Sequence, residues 1–283
     1  MKYVISILVL LISSTFVFSQ DFYLAPNGVT CMCPNAPVGA SGDPGNGIVY
    51  TKRTRNQITP QNAATTCTSG ITDMSNLFYE LGSFNADIST WDVSQVTAMY
   101  SLFYSATSFD QDLSYWDVSN VIYMGYMFTL TNFNHDISGW NVSNVIGMEG
   151  MFFGTPFNQP IGSWDVSSLE YATSIFGETN FNQDISGWDV SGMWSFGNMF
   201  ERAYSFNQDI SGWDTSNGEY FDGMFEDATS FNQDISSWDI SNATDIYSIS
   251  NMFNGASSFN QDLSSWVFHP NVEFFNFMSN CGM

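Results

Sequence analysis

The chain has 283 residues, of which 44% are apolar, so it is long enough to bury a sizeable hydrophobic core. Five Lys and Arg residues are set against 28 Asp and Glu residues, which gives a net charge of −23. This charge excludes nucleic-acid binding by phosphate neutralisation and attachment to an anionic membrane surface. Cations, cationic partners and neutral glycans are the ligand classes that it allows.

Residues 1–19 have the pattern of a secretory signal peptide. Lys2 provides a positive start and an apolar stretch follows, while Val17 and Ser19 occupy the −3 and −1 positions of a cleavage site before Gln20. An uncleaved anchor is the alternative, but the apolar stretch is short for a membrane span. We therefore expect the chain to be secreted or displayed at the cell surface, with no membrane insertion after the signal is removed.

Residues 20–70 differ in composition from the rest of the chain and are predicted to form a small N-terminal cap. The run GASGDPGNG (39–47) indicates a loop or hairpin tip, and IVYTKR (48–53) reads as a strand. A repeat protein needs such a cap to cover the first exposed face of its core.

The cysteines indicate how this cap is held. Cys31 and Cys33 are too close in sequence to pair comfortably with each other, so we expect one of them to form a disulfide with Cys67. A metal site is the competing interpretation. It is weak because the chain has two His residues and no CxxC motif.

Tryptophan positions reveal an internal repeat in residues 71–283. Successive Trp residues are 24 or 25 positions apart, with a last step of 28, and occur at 91, 116, 140, 164, 188, 213, 238 and 266. An eight-residue phrase, FNQDISGW, ends at Trp188 and again at Trp213, and looser copies end at the other six. A fixed period of this length is typical of repeat architectures.

One unit reads FDQDLSYWDVSNVIYMGYMFTLTN, and its apolar residues fall into three groups. Those at 109–116 bracket a strand-like stretch, and those at 118–121 flank a turn signal. Met124, Met127 and Phe128 have the i, i+3, i+4 spacing of one helical face. A Met and aromatic stripe of this kind is far more often core than part of a cofactor site.

Units of this kind can bury their apolar sides only by stacking. We therefore predict an α/β repeat solenoid of about eight coils of 24–28 residues, each with a short strand, a turn and a short helix. The unit WDVSNV-x-x-M-x-x-MF-x-x-A-x-x-FNQDIS, as in 116–137 and 213–235, resembles the BspA-type leucine-rich-repeat proteins of bacterial surfaces. The resemblance covers about residues 71–283. It implies a leucine-rich-repeat-like solenoid, extracellular display and a role in binding or adhesion, and it carries over no catalytic residues.

Two acids recur in most units. The first follows Phe by three positions, at Asp87, Asp112, Asp136, Asp184, Asp209, Asp234 and Asp262, and the second follows Trp, at Asp92, Asp117, Asp165, Asp189, Asp214 and Asp239. Capping of backbone N–H groups in Asx turns is the favoured interpretation. Asn141, which replaces the acid after Trp140, fits it because Asn also forms Asx turns. Calcium bridging of stacked carboxylates, at Asp184, Asp209 and Asp234, is the alternative.

The same repeated phrase supplies the candidate binding face. It comprises Asn182, Gln183, Asp184, Asn207, Gln208, Asp209, Asn232, Gln233 and Asp234. The leading hypothesis is a recognition or adhesion module for an extracellular protein or matrix component, with side-chain ladders of Asn and Gln along the stack. We expect no enzymatic activity, because near-identical acids in every coil are unlike a single tuned catalytic pair.

Two other functions remain open. A glycan-binding module would use aromatic residues outside the periodic core, for which the candidates are Trp194, Tyr100, Tyr104, Tyr115 and Tyr126. A structural spacer stiffened by calcium would use the aspartate columns, and calcium is the only cofactor that the sequence suggests.

Overall fold

The computed structural model of the protein describes residues 21–282. The predicted signal peptide, residues 1–19, lies outside the described residues. Within that range, no helix combines the length and the apolar character that crossing a membrane requires.

The N-terminal segment forms two small sheets. Strands β1 (Tyr23–Leu24) and β2 (Cys31–Met32) pair antiparallel. A second sheet has the order β3-β4-β5, in which β3 (Ser41–Gly42) and β4 (Tyr50–Lys52) are antiparallel and β4 and β5 (Thr66–Cys67) are parallel. Strand β4 falls within the stretch 48–53 that was predicted as a strand. Two 3-10 helices, Arg55–Gln57 and Ala63–Thr65, lie between β4 and β5.

A disulfide joins Cys33 to Cys67, which selects one of the two pairings that the sequence left open. Cys31 is buried beside it with a free thiol, whose pKa burial and the nearby Asp92 carboxylate raise to about 12. The segment docks on the first coil through backbone and side-chain bonds. Cys31 N donates to Thr90 O over 2.8 Å, and Ser69 Oγ donates to Asp92 Oδ2 over 2.5 Å.

After this segment the chain runs as a stack of parallel coils. One residue per coil forms a bridge with its equivalent in the next, in the series Asp73, Ala98, Tyr123, Gly147, Tyr171, Ser195 and Tyr220. A continuous core of Phe, Trp, Ile, Val, Met and Ala fills the stack from the first coil to the last. In a typical coil Phe176 stacks on Phe181 at 3.9 Å between ring centroids, and Phe181 meets Phe206 of the next coil at 6.4 Å.

The short helix predicted for each coil is wrong: tandem β-turns occupy its place. Leu102 N donates to Met99 O over 3.2 Å, three residues back, whereas an α-helix would use the carbonyl four residues back. Intervening N–H groups reach the next coil instead, as Phe103 N does to Met127 O over 3.0 Å. In residues 21–282 the two 3-10 helices above are the only helices. The turns bring Met99, Leu102 and Phe103 to one side, as a helix would, and this similarity explains the error.

The strand predicted within each coil is also wrong in its position. The bridging residue lies at the start of the turns, and the FNQD stretch forms no backbone ladder with its neighbours in the part of the chain described. Hydrogen bonds of Asn and Gln side chains join the neighbouring coils there instead.

Candidate binding surfaces

Asparagine and glutamine side chains join each coil to the next. Asn182 Oδ1 accepts hydrogen bonds from Asn207 N at 3.0 Å and Gln208 Nε2 at 2.9 Å. Asn207 Oδ1 does the same for Asn232 N and Gln233 Nε2, both at 2.9 Å. This pattern recurs with the acceptors Asn85, Asn134, Asn158, Asn182, Asn207 and Asn232. The Asn and Gln residues of the candidate face therefore contribute first to coil stacking.

The repeated acid after Phe caps a turn within its own coil. Asp184 Oδ1 accepts from Ser186 N at 2.9 Å, and Asp209 and Asp234 accept from the equivalent serines at 3.0 Å. Hydrogen bonds from the Ser186 hydroxyl and its backbone N–H lower the pKa of Asp184. These contacts form the Asx turns that the capping interpretation expects, while the three carboxylates stay exposed.

The acid after Trp makes a similar turn. Asp189 Oδ1 accepts from Ser191 N at 3.1 Å and from Ser191 Oγ at 2.6 Å. Asn141, which replaces Asp in this column, accepts from Ser143 N at 3.2 Å, so the turn survives without the charge. In residues 21–282 no group of three or more His, Cys, Asp or Glu side chains is arranged to hold a metal ion.

Three of the five aromatic residues that are the glycan-binding candidates come together. Tyr100, Tyr104 and Tyr126 line a cavity of about 430 Å³ with Tyr79, and Asn76 and Ser101 complete its wall. The rings of Tyr79 and Tyr104 stack at 4.9 Å, and Tyr126 stands edge-on to Tyr100 at 5.6 Å. The other two candidates lie elsewhere: Trp194 contacts Tyr171 and Tyr220, and Tyr115 lies close to the N-terminal segment.

A carboxylate that the sequence did not single out, that of Glu149, lies near two of these rings, Tyr100 and Tyr126. Glu149 is half-buried, and its Oε2 atom is buried with no hydrogen-bond partner among residues 21–282. Its carboxyl group lies against Gly125, where a Cβ atom would come within 2.5 Å of it. Gly125 was the signal available in the sequence, because the equivalent residue is Tyr100 in the preceding coil and Glu149 in the following coil.

Comparison with known families identifies the repeat. A family model described as "Mycoplasma protein of unknown function, DUF285" matches residues 49–156, 129–203 and 178–281. The chain belongs to the DUF285 family. No curated protein and no solved structure matches it.

The three DUF285 matches overlap and together cover the whole stack of coils, as expected where one family pattern recurs along a repeat protein. The first match begins at residue 49, before β4, and so includes part of the N-terminal segment. The family description assigns no function.

Proposed function

We propose that this DUF285 chain is a secreted or cell-surface recognition or adhesion module that binds an extracellular protein or matrix component. The resemblance to BspA-type proteins and the stacked parallel coils support a leucine-rich-repeat-like solenoid as its architecture. The predicted signal peptide supports export, and the acidic surface favours a partner that carries positive charge.

The observation that carries this proposal is the row of exposed aspartates in successive coils. Asp184, Asp209 and Asp234 hold equivalent positions, and each is fixed by the turn that it caps. A carboxylate already fixed in the free protein loses less conformational freedom on binding. Three equal contacts along a stack give avidity that a single contact would lack.

Changing the three aspartates to Asn tests the aspartate row without breaking its turns. Asn keeps the Asx acceptor, as Asn141 does, and removes three charges. The matched control changes Asp165, Asp189 and Asp214 to Asn. It removes the same number of charges from the acids that follow Trp. Binding to immobilised collagen, fibronectin and laminin is measured at low and high ionic strength.

We expect the first triple variant to lose binding and the control to retain most of it. Equal retention by both variants, or binding by neither the wild type nor the variants to any of these proteins, would contradict the proposal. Equal loss by both would mean that net charge, and not the aspartate row, attracts the partner.

A glycan-binding function is the second candidate, and the tyrosine cavity favours it. Exposed aromatic rings beside hydroxyl and amide groups are suited to sugar rings, and Asn76 and Ser101 line this cavity with the tyrosines. A glycan array probed with the wild type and with Tyr104→Ala tests it. Binding that is lost in this variant would support glycan recognition, and an array without hits would remove it.

A structural spacer stiffened by calcium is the third candidate, because the exposed carboxylates of Asp184, Asp209 and Asp234 recur in adjacent coils. A melting temperature that is the same in calcium and in chelator would remove it. We also propose that the chain is not an enzyme. The repeated acids support this, because Asp184, Asp209 and Asp234 each accept a hydrogen bond from a serine in the same kind of turn, whereas a catalytic pair needs acids with distinct environments.

A further inference from the structure

Trp194 is a large aromatic residue that lies open to solvent beside two tyrosine rings. It is 40% exposed, whereas the Trp residues of the repeat are 6% exposed or less. Tyr171 and Tyr220 occupy equivalent positions in the coils on either side, and the equivalent residue of the coil between them is the small, buried Ser195. The centroid of the Trp194 ring lies 5.7 Å from that of Tyr171 and 6.0 Å from that of Tyr220. Exposed aromatic clusters are typical of interaction surfaces.

Two glutamates flank the indole in the adjacent coils. Trp194 N donates to Glu170 O over 2.9 Å, and Glu219 N donates to Trp194 O over 2.8 Å. Because these residues are neighbours in a parallel stack, their side chains leave the backbone on the same side, about 4.8 Å apart at each step. All three residues are exposed. Burial raises the pKa of Tyr171 and the Glu170 carboxylate adds to this rise, so that carboxylate lies near the ring of Tyr171.

The carboxylates of Glu170 and Glu219 have no basic partner among residues 21–282. The ion pairs of that range use His135 and Arg202 as their bases, and neither base pairs with these two glutamates. Two unpaired carboxylates beside an exposed indole, in a chain of net charge −23, create a negative potential over the ring. Charge complementarity therefore favours a cationic ligand at this place.

We propose that this tryptophan site, formed by Glu170, Tyr171, Trp194, Glu219 and Tyr220, binds an arginine side chain of a protein partner. The guanidinium stacks on the face of the indole, and its N–H groups donate to the two flanking carboxylates. Trp is the aromatic residue that binds cations most strongly over its face. Hydrogen bonds between a guanidinium and carboxylates are among the strong, charge-assisted ones.

The arrangement favours arginine over lysine. The guanidinium is planar and carries five N–H donors in that plane, so it can lie on the indole while its edges face a carboxylate on each side. A lysine ammonium is a compact, strongly hydrated charge and has no planar face to stack.

The tilt of the rings favours a single side chain over an extended glycan. The ring of Trp194 is inclined by 48° to that of Tyr171 and by 76° to that of Tyr220. A linear glycan that stacked on all three rings would need ring faces that lie nearly in one plane. One guanidinium needs only the indole face.

This inference rests on the proposed protein-recognition function and adds a second contact surface to it. The aspartate row and the tryptophan site share no residue, so each can fail by itself. The triple Asn variant of the aspartate row is expected to keep its arginine binding, which separates the two surfaces.

The test uses short peptides with the purified protein and follows the backbone NMR signals of residues 170–171, 194–195 and 219–220. The peptide acetyl-Gly-Arg-Gly-amide is compared with versions that carry citrulline or lysine in place of Arg. We expect the arginine peptide to shift these signals in a saturable way. Citrulline keeps the shape and loses the charge, so it should bind roughly tenfold more weakly. Lysine keeps the charge and loses the planar fork, so it should bind several-fold more weakly.

The double variant Glu170→Gln with Glu219→Gln is the key variant. Its matched control is Asp87→Asn with Asp112→Asn, which removes two charges several coils away and keeps the acceptor that each residue offers to a serine N–H. We expect the glutamate variant to weaken arginine binding roughly tenfold, and the control to leave it within about twofold because distant charges are screened. Trp194→Leu should abolish the saturable shift. Melting curves confirm that each variant is folded before binding is compared.

Several results would overturn the inference. They are equal binding of the arginine and citrulline peptides, equal binding of the arginine and lysine peptides, equal weakening by the two double variants, and no shift of these signals by the arginine peptide. A shift produced by the neutral glycan cellohexaose and by none of the peptides would assign the surface to glycans instead.

Discussion

The indole Nε1 of Trp213 donates a hydrogen bond to the carbonyl oxygen of Ile185 in the preceding coil, over 3.2 Å. Trp91 donates in the same way to Ala63 O of the N-terminal segment, over 3.0 Å. Equivalent bonds to the preceding coil, at 3.0 to 3.2 Å, leave Trp116, Trp140, Trp164, Trp188, Trp213, Trp238 and Trp266. A buried carbonyl needs a donor, and among the large aromatic side chains only Trp and Tyr provide one. This relationship explains why the repeat keeps Trp where Phe would fill the core.

Replacing Trp213 with Phe should lower the free energy of unfolding by about 1–3 kcal/mol, because it leaves the carbonyl oxygen of Ile185 without a donor and opens a cavity. Denaturant unfolding followed by circular dichroism measures the change. Trp194→Phe is the control, since Trp194 is 40% exposed and does not belong to the Trp series of the repeat. A loss at Trp194 equal to that at Trp213 would contradict the role of the indole bond.

Asp184 should tolerate Asn and not Ala. Asp184→Ala removes the acceptor of the Ser186 N–H and should lower the denaturation midpoint, whereas Asp184→Asn keeps an acceptor. The folded-state pKa of Asp184 is lowered, so the stabilisation by its charge is present above the unfolded pKa and is lost as the pH falls through the folded pKa. The difference between wild type and Asp184→Ala should therefore shrink in acid. An Asn variant as unstable as the Ala variant would show that the turn depends on charge alone.

Gly162 and Gly212 should respond in different ways to alanine. A Cβ atom at Gly162 would overlap the carbonyl oxygen of Asp184 in the next coil, while at Gly212 it would meet no atom within 4 Å. We expect Gly162→Ala to cost about 1–3 kcal/mol of unfolding free energy, because a backbone atom must move. Gly212→Ala should stay within about 0.5 kcal/mol of wild type. Equal effects at both sites would be inconsistent with the coil packing described here.

Glu149→Gln should increase stability at neutral pH. Burial raises the folded pKa of Glu149, so the folded state holds its proton more tightly than the unfolded chain. Wild-type stability from this group is therefore present below the unfolded pKa and is lost as the pH rises through the folded pKa. The advantage of Glu149→Gln should appear across that window and vanish in acid, and thermal melts at a series of pH values measure it. A variant less stable than wild type at neutral pH would show that Glu149 holds the fold.

Much of the architecture could be predicted from the sequence, because Trp spacing reports the coil period directly. The repeat, the continuous core and the side-chain ladder of Asn and Gln all follow from residues that return at equivalent positions. The short helix could not be separated from tandem turns, since both bring residues at i, i+3 and i+4 to one side. A signal was present in Gly150 and Gly154, four residues apart, which adopt positive φ values of 56° and 66°. Tyr126 and Leu130 adopt similar angles in the preceding coil and conceal that pattern.

The candidate surfaces were harder to predict, because single-coil departures from the repeat define them. Glu149 occurs once, and its environment depends on Gly125 and Tyr126 of the preceding coil. Only the stacking register brings Glu149 next to these two residues. The candidate face at Asn182, Asn207 and Asn232 was found by periodicity. Periodicity selects residues that hold the stack as readily as residues that bind a partner.

The Asn and Gln residues of the repeated phrase join adjacent coils. A double-mutant cycle between Asn207 and Gln233, whose side chains meet at 2.9 Å across a coil boundary, tests it most directly. Asn207→Ala, Gln233→Ala and the double variant are unfolded in denaturant, with Asn207 and Gln261 as the uncoupled pair. We predict a coupling free energy of about 0.5–1.5 kcal/mol for Asn207 and Gln233 and about zero for the control pair. A coupling of zero between Asn207 and Gln233 would contradict the claim.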